Sequence, residues 1–272
     1  MNHVFFIKTL SFSIGILVFL VNIIDRVYAY LFSRPIFVHF YPIKKRLSKQ
    51  QKYFLENHVS FYMKLSNRGQ SYFEHRLVMF MRNYDFIERE NFEITPEVKI
   101  LIGSSYVKLT FGMRRYLSEV FEKIVVYPSV FYSVITKNYH KGEYNPFFKM
   151  IVFSWEDFLL GNLITNDNIN LGIHEFAHAL TFHGQKSNDV SASIFSRGYR
   201  GLDDFLAHEN NFEIIKKSNY FRSYAFTNKI EFLAVIAEHF FESPKELKRE
   251  FPELYSKLEI MFNYKLTSSL LL

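Results

Sequence analysis

From Thr9 to Ile24 the chain runs for 16 residues without a charge, rich in Phe, Ile, Leu and Val, with Phe5, Phe6 and Ile7 ahead of it across a single Lys8. So much continuous apolar surface has two stable destinations, a lipid bilayer or a protein core. A helix rises about 1.5 Å per residue and the hydrocarbon layer is about 30 Å thick, so the run spans once its aromatic flank is included and Lys8 snorkels to the headgroups. Tyr28 and Tyr30 then fall in the interfacial aromatic belt. A cleaved signal peptide and a buried helix are the other readings. Val27, Tyr28 and Ala29 make a poor cleavage site, and Asp25 and Arg26 interrupt the region where a peptidase would cut. Residues 1–32 are therefore expected to form one uncleaved transmembrane helix. Only Lys8 and the terminal amine precede the span, whereas Arg26, Arg34, Lys44, Lys45 and Arg46 follow it, which places the rest of the chain in the cytoplasm.

The remaining residues, 33–272, suit one domain, and no internal repeat is visible. Hydrophobic residues are 49% of the chain, with 32 Phe and 18 Tyr, which supplies a packed core and excludes collagen-like and disordered classes. There is no cysteine, hence no disulfide framework, Cys-ligated zinc finger, iron–sulfur cluster or thiol nucleophile. A metal site must use His, Asp and Glu, and the nucleophile must be Ser, Thr, Lys or activated water. The net charge of +6 is mostly scattered, apart from a small cluster of Lys44, Lys45, Arg46 and Lys49. No nucleic-acid motif accompanies it, so no nucleic-acid partner is expected.

Helix signals dominate the soluble part. Ser48 and Gln51 mark a helix start, continued by Tyr53, Phe54, His58, Phe61, Tyr62 and Leu65 to a stop at Gly69. A second helix covers residues 72–84, and Thr95 with Pro96 opens a third. The pattern then turns β-like at 124–135, broken by Pro128, and again at 149–155, with 139–146 joining the two as a hairpin through Gly142. After a polar loop at 162–168 the chain is helical to the end, the last helix opening with a capping box on Ser243, Pro244 and Glu246. The layout is α+β and helix-rich, with a helical part over about 45–123 and a core over about 124–263.

Within the core lies His174, Glu175, Phe176, Ala177, His178, the HExxH pattern. Residues four apart share a helix face, so both imidazoles can reach one ion while Glu175 stays beside a water bound to it. The motif also fits a helix whose histidines are satisfied core or surface residues. Its neighbours Leu171, Ile173, Phe176, Ala177 and Leu180 are apolar, and buried imidazoles beside a carboxylate need partners. A catalytic zinc takes three protein ligands. His183 lies five residues past His178, the wrong spacing for a third histidine ligand. Glu231 is the better candidate, since 230–241 is apolar on almost every side except at Glu231, Glu238 and His239. Spacing alone leaves Glu231 open as ligand or as helix cap, because Asn228 precedes it by three. Glu238, seven residues on, shares its face and can support the ligands.

The sequence resembles the zinc peptidases of the Mlc titration factor A type, gluzincins with a catalytic core like that of anthrax lethal factor. VYPSVF at 126–131, IVFSWEDFLLG at 151–161, NINLGIHEFAHAL at 168–180 and YAFTNKIEFLAVIAEHFFESPKELKREFPELYSKL at 224–258 carry it. The resemblance implies a zincin-like domain in which His174, His178 and Glu231 bind zinc and Glu175 acts as general base. It further implies that Tyr224 can donate to the oxyanion. It also implies peptide or protein substrates, with aminopeptidase and internal cleavage both open. An extended substrate could pair with strand 151–155 if that strand is an edge. The family's founding member sequesters a transcriptional repressor, so a membrane-tethered regulatory binding protein with incidental activity is the second class. Thr181 stands where the family usually has Asp, and the loop around 182–190 departs as well.

Overall fold

The computed structural model describes residues 2–164 and 166–264, with the side chains of residues 2–11, 14, 18 and 209 outside the description. The side chains of Lys8 and of the flank at 5–7, on which the spanning argument draws, and the expected domain's last eight residues lie outside the description. Helix α1 (Asn2–Phe32) is continuous, and its Gly15–Phe32 stretch has a mean hydropathy of 1.7 with little protein cover. Asp25, Arg26, Ala29 and Tyr30, in its last turns, contact the rest of the chain.

Ser48 caps α2 (Lys49–His58) with the reciprocal box expected of it, the Gln51 side chain accepting from the Ser48 amide. The helix does not continue to Gly69. It breaks at Val59, is followed by α3 (Ser60–Met63), and Ser66 then caps α4 (Asn67–Asn83) by accepting from the Gly69 amide. Gly69 thus sits in a first helical turn, where a side-chain cap satisfies amides that a glycine stop would have left to water. Strand β1 (Asp85–Glu88) follows, too short and polar to signal itself. Helix α5 (Pro96–Thr110) opens with Thr95 as cap and Pro96 in its first turn.

The β region differs from a simple hairpin. Strands β2 (Lys123–Tyr127), β3 (Phe131–Ser133), β4 (Asn138–His140), β5 (Gly142–Asn145) and β6 (Met150–Ser154) form two sheets. One is the antiparallel pair β3–β4. The other has the order β1-β2-β6-β5, with β1, β2 and β6 parallel and β5 antiparallel at the rim. The segment expected as a connection therefore supplies two strands, and β6 is interior rather than an edge. Its run of buried Ile151, Val152 and Phe153 is what a strand covered on both faces requires.

Helices α6 (Trp155–Leu163), α7 (Leu171–Lys186), α8 (Val190–Ala207), α9 (Asn211–Lys217), α10 (Lys229–Glu242), α11 (Pro244–Glu250) and α12 (Pro252–Met261) complete the α+β domain. Ser243 makes no cap for α11. Its hydroxyl donates to Asn168 Oδ1 at 2.5 Å, a tertiary partner that outcompetes the local box. Helix α7 runs through the centre, with Phe176 packed against Phe80 of α4, Tyr106 of α5, Phe153 of β6 and Phe121 in the loop before β2. Residues 154–161 tie β5 to the start of α7. Ser154 caps α6, Asp157 pairs with Lys141 at 2.6 Å, and the Gly161 carbonyl accepts from Asn170 at 2.9 Å. A Cβ on Gly161 would lie 2.8 Å from the Ile169 carbonyl oxygen, so only glycine lets the chains approach this closely. Asn170 in turn caps α7 through the Ile173 amide.

Candidate metal centre

The HExxH residues lie one turn inside α7, where Asn170 fixes the helix start and the aromatic core fixes its roll. His174 and His178 present their rings to the same side, centroids 4.7 Å apart and nearly perpendicular. Helix α10 packs across α7. Its first amides, those of Ile230 and Glu231, are capped by the Asn228 side chain at 2.9 and 3.0 Å, which leaves the Glu231 carboxylate free of capping duty. Glu231 Oε2 stands 2.9 Å from His174 Nε2 and 3.5 Å from His178 Nε2. The three donor atoms lie within 4.8 Å of one another.

This donor set has the composition of a divalent-cation site. Glu231 Oε2 faces both Nε2 atoms, while His174 Nδ1 faces a second carboxylate, Glu238 Oε1, at 2.9 Å. Burial pushes the His174 imidazole down, but the bonds to Glu231 and Glu238 prevail and raise it to about 10. Burial pushes Glu231 up, and the two histidines outweigh it, holding the carboxyl well below the usual range. A cation held here would be bound by both Nε2 lone pairs and the carboxylate, and His174 Nδ1–H would be left to donate to Glu238. The residues present fit such an ion.

Glu238 is 1% exposed and is balanced by Arg222, which pairs with Oε2, donates to Oε1 at 3.0 Å and also donates to the Asn168 carbonyl at 2.8 Å. Sequence reasoning missed Arg222 because it lies on irregular chain before α10, where no periodicity points to it. The available signal was Glu238 itself, since a buried carboxylate on an apolar helix demands a cation. His183 is engaged elsewhere, by Ser118 and Asp189, both at 3.1 Å.

Glu175 is buried under the rim strand β5, where the Tyr144 amide bonds its carboxylate. Burial raises its pKa, and the nearby imidazoles oppose the rise. A Cβ on Gly142 would lie 2.5 Å from Glu175 Oε1 and 2.7 Å from Leu171 Cδ1, so any larger residue there must push these two side-chain ends aside. Gly142→Ala is expected to displace the Glu175 carboxylate and lower kcat about 10²-fold while circular dichroism and metal content stay those of the wild type. Unchanged kcat in that variant would show that the close approach has no bearing on the site. Tyr224 lies in the short turn Ser223–Phe226, half exposed, with its ring 5.9 Å from that of His174. Burial and the neighbouring Glu231 carboxylate push its phenol up to about 12, which keeps it a proton donor at neutral pH.

Comparison with known proteins identifies the family. The chain is 27% identical over 252 residues to an uncharacterized protein of Synechocystis sp., covering 84% of each. Residues 42–263 match the family described as glucose-regulated metallo-peptidase M90, a span that holds both histidines and Glu231 and stops short of α1. The match covers most of the chain, and the protein belongs to this family, that of Mlc titration factor A, and is a metallopeptidase of peptide or protein substrates.

Proposed function

We propose that this protein is a membrane-anchored zinc peptidase in which His174, His178 and Glu231 hold the ion and Glu175 moves the proton. The convergence of three donor atoms from two helices, within 4.8 Å of one another, carries the reading. Zinc, when bound, supplies a Lewis acid and lowers the pKa of water toward neutrality. Glu175, one residue from His174 and raised by burial, accepts the proton of the attacking water and passes it to the leaving amine. Tyr224, protonated at neutral pH, donates to the oxyanion. Glu238 and Arg222 hold the His174 ring in its donor orientation through Nδ1.

An extended substrate adds to the rim strand β5 rather than to β6, because β6 is paired on both sides. A strand added there passes beside Glu175, which the Tyr144 amide of β5 already holds. The apolar length of α1 supports anchoring, and the excess of Lys and Arg after it supports a cytoplasmic domain.

Metal analysis of the purified full chain tests the site. The wild type is expected to carry one zinc per chain, and His174→Ala and Glu231→Gln to lose it on dialysis against a chelator that the wild type withstands. Stoichiometric zinc retained by His174→Ala would refute the ligand set.

A further inference from the structure

Helix α1 leaves the protein surface at Asp25. Beyond that point Ala29 packs on Val190 and Ile194, and Arg197 donates to the carbonyls of Ala29 and Tyr30 at 2.6 and 2.8 Å. Before it, Phe19, Leu20, Val21, Ile23 and Ile24 are all exposed. From Asp25 onward the domain holds one face of the helix, while Val27, Tyr30, Leu31 and Phe32 remain exposed.

After Phe32 the chain reverses at Ser33, whose φ of 52° is left-handed, and segment 34–46 returns along the domain. Arg114 fixes the depth of that return. Its guanidinium pairs with Asp25 and lies 4.9 Å from the centre of the Phe37 ring. The seven residues from Asp25 to Phe32 span about 10 Å of helix, so Phe37 has been carried back to the level where α1 emerges. One side of the segment is held by the domain. Pro35 and Val38 are buried, and His39 stacks on Tyr72 at 4.5 Å. The other side presents Ile36, Phe37, Phe40 and Ile43, exposed by 48% to 77%, with the Phe37 and Phe40 rings 6.1 Å apart. Lys44, Lys45 and Arg46 follow at once, all exposed. Contiguous apolar side chains bordered by cations, at the depth where an anchor helix emerges, match the chemistry of a bilayer surface with anionic headgroups.

We propose that segment 34–46 is a second membrane contact. Ile36, Phe37, Phe40 and Ile43 enter the boundary between headgroups and acyl chains of the leaflet that α1 leaves, and Lys44, Lys45 and Arg46 rest on anionic phospholipid. The inference rests on the reading of α1 as a transmembrane anchor. The helix tethers the domain, and the strap, bound through Arg114 to the same point, sets the tilt of the domain over the bilayer.

The test uses the full chain in vesicles of phosphatidylcholine and phosphatidylglycerol with brominated acyl chains, with wild type as the baseline for Trp155. Phe40→Trp is expected to lose at least about half of its added emission to quenching, and Ile214→Trp, an exposed site on α9 past the far end of α8, almost none. Charge reversal at Lys44, Lys45 and Arg46 in the Phe40→Trp chain is expected to reduce the quenching, as is replacement of the mixture by phosphatidylcholine alone. Flotation of the vesicles reports the anchor separately. Protein that floats with Phe40→Trp unquenched overturns the strap and leaves the anchor standing, and points to a protein partner for the patch. Protein that fails to float overturns both. Quenching unaffected by charge reversal overturns the role given to the three cations.

Discussion

Glu175→Gln is expected to bind zinc as tightly as the wild type and to hydrolyse peptide with a kcat lower by about 10²–10⁴-fold. The substitution keeps the shape and the acceptor for the Tyr144 amide, and removes only the ability to take a proton. Glu175 is not among the three residues whose donor atoms converge, so metal content should not change. The two readouts separate the base from the ligands. A fall in both would mean that Glu175 supports the ion, and a kcat within about tenfold of wild type would remove it from the mechanism altogether.

Arg76→Met should be the most destabilising single change away from the metal centre, at about 3 kcal/mol or a thermal midpoint lower by roughly 6–12 °C. Arg76 is fully buried and its partners are neutral oxygens. It donates to the Tyr41 hydroxyl at 2.6 Å, to the Thr110 and Phe111 carbonyls at 2.6 and 3.1 Å, and to the Met113 carbonyl at 2.7 Å. The guanidinium thus closes the C-terminal end of α5, where unpaired carbonyls concentrate negative partial charge. Methionine fills the volume and leaves these acceptors buried and unpaired. Arg76→Lys should fall between the two, since an ammonium cannot fork to all four oxygens. A midpoint within about 2 °C of wild type for Arg76→Met would mean that water replaces the guanidinium.

Much of the site was legible because its rules are local. The spacing of His174 and His178 places them on one helix face whatever the fold. Ser48 and Thr95 cap their helices through amides three residues away, as their sequence signals indicated. The lone acidic residues of the apolar 230–241 stretch also announced themselves, because burying them without partners is too costly. Local rules misled where a tertiary partner was stronger. Gly69 looked like a stop until Ser66 capped a new helix, and Ser243 looked like a cap until Asn168 took its hydroxyl.

The sequence by itself determined the helix-rich class, the restriction of any metal site to histidine and carboxylate donors in a chain without cysteine, and the family to which the chain belongs. Tertiary structure alone decided that β5 rather than β6 is the rim strand, that Gly142 lies against Glu175, that Arg222 neutralises Glu238, and that Phe37 returns to the level of Asp25. The division has one physical cause. Helix spacing and capping act over a few residues, whereas strand order, the counter-ion of a buried carboxylate and the depth of a returning strap depend on segments that meet only when the core closes. Ser133 to Ser154 shows the limit most plainly. Its residues signal strand, but only closure of the sheet decides which strand keeps a free edge beside the metal centre.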